Sequence, residues 1–138
     1  MNKDLAVKLT YFLLRVVVGL MFLQHGSATI FGWFGGAPGG AAPPLMSQQG
    51  IGGVLQLVGG LLIALGLFTR PVAFILSGEM AVAYWQFHAP GSTWPMLNKG
   101  EVAVLFCFIF LYMAARGGGQ WSLDAMIARN RGATATAD

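Results

Sequence analysis

The chain has 138 residues, of which 56% are hydrophobic and only 9% are charged. Ordinary soluble domains carry about 25% charged residues, so this composition argues against a soluble domain and favours a chain that lies in lipid. The length suits one compact domain, in which four spans of about 20 residues each would use most of the chain. The net charge of +3 comes from basic residues scattered between apolar runs. Because they form no patch, we expect no nucleic-acid partner.

The first apolar run, residues 9–34, has transmembrane length and carries Arg15, Gln24 and His25. A secretory signal peptide is the competing interpretation, because two lysines precede the run and small residues lie within it. The run is too long for the apolar region of a signal peptide, and it contains an arginine. We therefore expect a retained helix over residues 5–30.

Three further apolar runs follow, each bounded by Gly, Pro or charged residues. A Gly- and Pro-rich loop precedes the second run, and Pro90-Gly91 ends the third. Asn98 is a plausible N-cap for the fourth helix, with Glu101 completing a capping box. A short amphipathic segment beginning at Ser122 is predicted to lie on the membrane surface.

The sequence therefore predicts an all-α fold class: an integral membrane four-helix bundle with a short C-terminal interfacial helix. A single domain over residues 1–131 contains all of these elements. The predicted helices cover residues 5–30, 47–68, 71–88 and 98–115, with a surface helix over 122–131 and a disordered tail over 132–138.

Basic residues predict the orientation of this bundle. One side of the predicted topology carries most of them, namely Lys3, Lys8, Arg70, Arg116, Arg129 and Arg131. The other side carries Lys99. The positive-inside rule then places both termini in the cytoplasm and the loops 32–50 and 89–99 outside.

This topology brings polar side chains from all four helices to one outer level. They are Gln24, His25, Gln56, His88 and Glu101. Small helical bundles build ligand sites from side chains that face one another across neighbouring helices. We therefore predict that these five residues form a ligand-binding site in the outer half of the bundle.

Arg15 and Glu79 lie deeper, towards the cytoplasmic side, and are predicted to be buried charges. Ionisable groups inside a membrane are rare and are usually paired or functional. The two residues either form a structural ion pair or reach separately towards water. A role in moving a proton or binding a substrate is the functional alternative.

Each candidate ligand residue also has a purely structural explanation. His25 can bond a neighbouring helix, Glu101 can serve only as a helix cap, and His88 can be a solvated interfacial side chain. Helical phase points His88 away from Glu79 unless the helix unwinds before Pro90. Haem binding by two histidines and a dispersed metal site are permitted by the pattern without being specified by it, so we predict no metal.

A series of spaced motifs runs through residues 9–125. They are Leu14-Arg15, His25-Gly26, Phe31-Gly32-Trp33-Phe34-Gly35-Gly36, Leu57-Val58-Gly59-Gly60, Gly66-Leu67-Phe68-Thr69-Arg70-Pro71, Gly78-Glu79-Met80-Ala81, His88-Ala89-Pro90, Leu97-Asn98-Lys99-Gly100-Glu101 and Gly119-Gln120-Trp121-Ser122-Leu123-Asp124. Together they resemble the DoxX family of bacterial and archaeal membrane proteins.

The resemblance implies a four-helix, multi-pass protein of the bacterial or archaeal cytoplasmic (inner) membrane. The family takes its name from an association with quinone-linked sulfur oxidation, and relatives are described as membrane partners of redox enzymes. His25, Glu79, His88 and Glu101 stand where the family often has the same residue. Most members have no established activity, so the resemblance leaves open whether this chain is an enzyme.

Our leading hypothesis from the sequence is a redox-associated membrane subunit that binds a quinone or a similar apolar molecule. His25 would hydrogen-bond a carbonyl oxygen, and Glu101 or His88 would exchange its proton with the outside. The expected partners are the lipid bilayer, membrane redox-enzyme subunits and, through glycine-rich helix faces, a second copy of the chain.

The alternative hypothesis is a non-catalytic chaperone or docking partner for other membrane or exported proteins. The buried polar side chains would then hold helices together by hydrogen bonding. Transport of a solute is less favoured, because the sequence shows no broken helices or inverted repeats of the kind that transporters use.

Two positions depart from the pattern that the resemblance implies. Many family members have Lys where this chain has Thr29, and Glu where it has Gln56. We hypothesise that the two charges form an ion pair in those members and that this chain has lost them together. Restoring both in the double variant Thr29→Lys/Gln56→Glu should then show a favourable coupling of about 0.5–3 kcal/mol in a double-mutant cycle of unfolding free energies. Simple additivity of the two single variants would argue against the pair.

Overall fold

The structure is a computed structural model that describes residues 2–36 and 40–135. Over these residues the chain is helical and has no strand, which confirms the all-α fold class. A 3₁₀ turn and a five-residue π-helical turn accompany six α-helices. The α-helices are α1 (Lys3–Phe31), α2 (Gln48–Leu65), α3 (Thr69–Ala83), α4 (Pro95–Asn98), α5 (Glu101–Arg116) and α6 (Leu123–Ala135).

Side-chain caps and glycines set the ends of the first two helices. The side chain of Asn2 accepts a hydrogen bond from the Leu5 N–H at the start of α1, and Ser47 does the same for Gly50 at the start of α2. Both helices end at a glycine in the left-handed conformation, Gly32 with φ 73° and Gly66 with φ 70°. Glycine adopts this conformation without steric cost, so the chain can leave the helix there.

The four long helices, α1, α2, α3 and α5, share one hydrophobic core. Phe22 of α1 meets Phe106 and Phe110 of α5 edge-on, with ring centroids 4.8 and 4.6 Å apart. Ile63 of α2 and Leu76 of α3 are fully enclosed beside them. The core therefore receives side chains from every long helix.

Helices α1 and α2 approach so closely that backbone meets backbone. A Cβ atom added at Gly60 would lie 2.4 Å from the backbone nitrogen of Leu23, and one added at Gly26 would lie 2.2 Å from that of Leu57. Such distances leave no room for any side chain. Small residues at helix crossings allow this close packing, which is common between helices in membranes.

The outward faces of the long helices are strongly apolar. Large hydrophobic side chains are exposed along α1, α2, α3 and α5, among them Leu20, Leu61, Phe74 and Phe108. Within the described residues, α1 and α2 are long and apolar enough to cross a membrane.

The middle helices differ from the predicted bounds at their junctions. α2 ends at Leu65 rather than at residue 68, because left-handed Gly66 stops it. α3 begins at Thr69, two residues before Pro71. The regular α-helical hydrogen bonding of α3 ends at Ala83, and the π-helical turn Tyr84–His88 follows directly. The helix therefore loses its regular geometry before Pro90, as the sequence pattern allowed.

The predicted capping box at the start of the last long helix is wrong. α5 begins at Glu101 with Gly100 as its N-cap and no side-chain cap. Lys99 has φ 60° and separates α5 from the short helix α4. The Asn98 side chain instead donates to the Ser92 carbonyl (2.7 Å) and accepts from the Gly100 N–H (2.7 Å). It is used to hold the loop between the helices.

The C-terminal helix begins as predicted and runs further. The Ser122 hydroxyl accepts a hydrogen bond from the Ala125 N–H at 3.2 Å, which confirms the predicted cap. α6 continues to Ala135, so residues 132–135 are helical where a disordered tail was expected. The alanines at positions 133 and 135 favour this continuation, since alanine has the highest helix propensity. The remaining tail residues, 136–138, lie outside the described residues.

The backbone contact between α1 and α2 predicts a sharp difference between two glycine-to-alanine substitutions. Gly60→Ala should lower the free energy of unfolding by about 1–3 kcal/mol, because the new methyl group forces the helices apart. Gly78→Ala is the matched control, since nothing lies within 4 Å of its Cβ position in α3. That variant should be neutral or up to about 1 kcal/mol more stable. Equal unfolding temperatures for the two purified variants would contradict the close approach.

Candidate functional site

The two ends of the helix assembly are built differently, and Arg15 dominates one of them. Arg15 is 1% exposed. Its Nη1 donates to the carbonyls of Ile63 (2.7 Å) and Ala64 (2.6 Å), and its Nη2 donates to the carbonyl of Trp121 (2.7 Å). The first two carbonyls belong to the last turn of α2, where helical partners are missing and a positive charge is favourable. We call this region the Arg15 end.

Two structural roles were predicted for Arg15: an ion pair with Glu79 or a side chain that reaches towards water. Within the described residues Arg15 does neither, because its side chain binds backbone carbonyls. Its guanidinium Nη1 and Nη2 bind carbonyl oxygens of α2 and of the segment before α6, whereas its buried Nε has no hydrogen-bond partner. In the sequence, Arg15 directly follows Tyr11-Phe12-Leu13-Leu14 within an apolar run. That pattern does not specify backbone carbonyls as the partners of the arginine.

The same end contains two further caps that sequence reasoning missed. The Asp124 carboxylate accepts from the backbone N–H groups of Phe68 (2.7 Å) and Thr69 (2.9 Å) at the start of α3. Arg70 donates to the Ala115 carbonyl (2.7 Å) at the end of α5. Each charge has the sign that the helix terminus favours. The Arg15 end is therefore closed by charged side chains bound to backbone groups.

The opposite end, which we call the Glu79 end, contains a cavity of about 620 Å³. α1, the loop before α2, α2 and α3 all contribute to its wall. Most of the lining is apolar, and the polar members come from three helices. The lining residues are Thr29, Ala41, Pro43, Gln48, Gln49, Ile51, Gly52, Gly53, Leu55, Gln56, Ile75, Glu79, Val82, Ala83 and Phe87.

Glu79 is the acidic group of this cavity, which we call the Glu79 cavity. Its Oε1 accepts a hydrogen bond from Gln56 Nε2 at 2.7 Å. Its Oε2 is buried and has no hydrogen-bond partner. A Cβ at Gly52 would lie 3.3 Å from Oε1, so the missing side chain at that position leaves room for the carboxyl group. An unsatisfied buried oxygen in an apolar wall is costly unless a ligand or water meets it.

Two other polar features border the Glu79 cavity. The Gln48 side-chain amide donates to the Gln86 side chain, which joins the start of α2 to the π-helical turn. The Thr29 hydroxyl donates to the His25 carbonyl at 3.1 Å. Thr29 and Gln56, the two departures from the expected family pattern, both line this cavity. A lysine and a glutamate at those positions would therefore share it.

The structure does not bring the five predicted ligand residues into this one cavity. Gln56 lines it, whereas Gln24 and His25 are exposed on α1. Gly26 occupies the position that faces α2, so its neighbour His25 is turned about 100° away. Glu79 was predicted as a buried charge deeper towards the cytoplasm than Gln56, but the two side chains are hydrogen-bonded at 2.7 Å and share the cavity, in which Glu79 takes the central place.

His88 and Glu101 lie at the ends of their helices, away from the cavity lining. The His88 ring nitrogen Nδ1 lies 3.1 Å from the Asn98 carbonyl oxygen, and the ring stacks on Tyr84. Glu101 is exposed at the start of α5. Their predicted roles in ligand binding therefore rest on the sequence argument and stay predictions.

The lining of the Glu79 cavity is suited to a small apolar molecule that carries one polar group. Across the described residues, no group of three or more His, Cys, Asp or Glu side chains could hold a metal ion. The available polar atoms are a carboxyl oxygen, side-chain amides and a hydroxyl. Such a set binds a carbonyl or hydroxyl group by hydrogen bonds and orients it.

The closure of the Arg15 end predicts a large loss of stability when Arg15 is removed. Arg15→Met should lower the free energy of unfolding by about 3–5 kcal/mol, because three buried carbonyls lose a charged donor. Arg15→Lys should lose less, since it keeps the charge without the planar fork of donors. Lys3→Met, which removes an exposed cation from the same helix, is the control. An Arg15→Met protein that unfolds at the temperature of the control would contradict this role.

Comparison with known proteins finds a matching family model and a relative that matches most of the chain. A family model described as DoxX matches residues 10–89. An uncharacterized protein of Haemophilus influenzae is 42% identical over 122 residues, covering 83% of this chain and 89% of the relative. No solved structure matches the chain. On the family match and this relative, the chain belongs to the DoxX family.

Proposed function

We propose that this DoxX-family chain is a multi-pass protein of the bacterial or archaeal cytoplasmic membrane, in which α1, α2, α3 and α5 form a membrane-spanning bundle. Helix lengths support this. The 29 residues of α1 extend about 44 Å, and the 16 residues of α5 about 24 Å. α3 with its π-helical turn extends about 30 Å. The hydrocarbon core of a bilayer is about 30 Å thick, so α1 spans it with tilt and α3 with its π-helical turn matches it, whereas the shorter α5 requires local thinning of the bilayer.

The distribution of tryptophan and charge supports the proposed orientation. Trp33, Trp85 and Trp94 are exposed at the Glu79 end, and Trp121 is exposed at the Arg15 end. Tryptophan favours the two interfaces of a membrane. Most basic residues belong to the Arg15 end, which the positive-inside rule assigns to the cytoplasm. The Glu79 cavity then lies in the outer half of the bundle.

In this bundle the Glu79 cavity binds an apolar small molecule with a carbonyl headgroup, of which a quinone is the leading candidate. The observation that carries the proposal is the buried, unpartnered Oε2 of Glu79 beside Gln56 in an apolar cavity. The volume of 620 Å³ lies within the range of small-molecule sites. Protonated Glu79 can donate from Oε2 to a carbonyl oxygen, and the Gln56 amide fixes the other carboxyl oxygen.

The proposal transfers the headgroup contact from His25 to Glu79. Glu101 and His88 retain their sequence-based role as groups that exchange a proton with the outside. The protein then serves as a ligand-binding subunit beside membrane redox enzymes, with the substrate chemistry supplied by those partners.

Photo-crosslinking with an azido-quinone tests the assignment of the Glu79 cavity. The wild-type protein in lipid nanodiscs should label on peptides that contain Glu79 or Gln56. Glu79→Leu should weaken quinone binding about two- to tenfold, since a hydrogen bond between two neutral groups contributes about 0.5–1.5 kcal/mol. Thr10→Val is the matched control, because that hydroxyl bonds only carbonyls of its own helix, those of Ala6 and Val7.

Other outcomes separate the competing functions. Loss of labelling in His25→Ala with full labelling in Glu79→Leu would return the headgroup to His25 and contradict the cavity assignment. A stoichiometric protein partner that co-purifies with a chain free of small molecules would favour the docking hypothesis instead.

A further inference from the structure

A second cavity of about 270 Å³ lies at the Arg15 end, on the far side of the molecule from the Glu79 cavity. It forms where the first turns of α1, the last residue of α5 and the loop before α6 meet. The proposed function makes no use of it. Its lining is chemically distinct, since it combines two cationic side chains with aromatic rings.

Two basic side chains give the lining of this cavity its positive charge. Lys8 comes from α1 and Arg116 from α5. The Arg116 guanidinium is held in place, because its carbon Cζ lies 4.3 Å from the centre of the Tyr11 ring and its Nη1 donates to the Tyr112 hydroxyl at 3.2 Å. Among the described residues that line this cavity there is no carboxylate. The cavity is therefore suited to an anion.

Backbone atoms complete the polar wall. Gly118 and Gly119 line the cavity and have no side chain, so backbone atoms form this part of the wall. The loop adopts this path through left-handed glycines, Gly117 with φ 84° and Gly119 with φ 78°. A Cβ at Gly119 would approach the Tyr11 ring to 3.0 Å. The glycines thus keep the loop against α1 and leave the cavity open.

Aromatic rings supply the apolar part of the lining of this cavity. Phe12 meets Trp121 edge-on, with ring centroids 5.7 Å apart, and both line the cavity. Trp121 is 45% exposed, so this apolar wall continues to the outer surface of the molecule. Inorganic phosphate would contact only the cations. A phosphate that carries an acyl chain would use the aromatic wall as well.

We propose that this cavity binds the phosphate headgroup of an anionic lipid of the cytoplasmic leaflet, between Lys8 and Arg116. The glycerol and first acyl carbons lie along Phe12 and Trp121. The site rests on the proposed membrane placement, which puts the Arg15 end at the cytoplasmic interface. Basic pockets at that interface are suited to anionic headgroups.

Lipid binding to the purified chain tests this site. Native mass spectrometry of the detergent-solubilised protein should show retained phosphatidylglycerol in preference to phosphatidylcholine. Lys8→Gln and Arg116→Gln should each weaken phosphatidylglycerol binding about fivefold, the effect of one basic residue near an anionic surface. Lys3→Gln is the matched control, because it removes an exposed lysine five residues earlier on the same helix.

Three results would overturn the proposal, each in a different way. Equal loss of phosphatidylglycerol binding in Lys3→Gln and Lys8→Gln would reduce the effect to general surface charge. Lys8-dependent stabilisation by inorganic phosphate, equal to that by the lipid, would assign the cavity to a soluble phosphate. Release of the chain from membranes by alkaline carbonate would remove the membrane placement itself. Because the Glu79 cavity lies at the other end, Lys8→Gln should leave azido-quinone labelling unchanged.

Discussion

The buried guanidinium of Arg15 is the interaction on which the rest of the structure depends. An unpaired charge in an apolar interior costs several kcal/mol, so Arg15 is stable there only because three carbonyl oxygens meet it. Those carbonyls belong to α2 and to the segment before α6. One side chain thus joins the first helix, the second helix and the C-terminal segment, and it adds a charged donor to carbonyls at the end of α2.

This arrangement makes the two ends of the molecule unequal. At the Arg15 end, Asp124 and Arg70 also bind helix termini, so charge is used for structure. Buried side-chain atoms without a partner occur at both ends, Arg15 Nε and Thr69 Oγ1 at the Arg15 end and Glu79 Oε2 at the Glu79 end, but of these three residues only Glu79 lines one of the two cavities described above. The motifs of the family resemblance occur at both ends, with Leu14-Arg15 and the Trp121-Ser122-Leu123-Asp124 segment at the closed end and Gly78-Glu79-Met80-Ala81 at the other.

Local sequence signals predicted the helices, and contacts distant in sequence explain what they missed. The apolar runs bounded by Gly and Pro predicted the position of every long helix. Helix formation depends on the hydrophobicity and backbone preferences of residues close together in the sequence, so a local pattern is sufficient to predict it. The cap that Asp124 provides for α3 joins residues more than 50 positions apart, and no spacing rule predicts it. His25 was assigned inward as a polar residue in an apolar run. Its exposure follows from the glycine beside it, which takes the face in contact with α2.

The central claim is that the unpartnered oxygen of Glu79 marks a ligand site between α1, α2 and α3. A high-resolution density map of the protein purified from native membranes, with no ligand added, tests this most directly. The account predicts density for a ring-sized molecule in the Glu79 cavity, with a polar atom within hydrogen-bond distance of Glu79 Oε2. A cavity filled by neighbouring side chains, with that carboxyl oxygen bonded to a protein group, would contradict it.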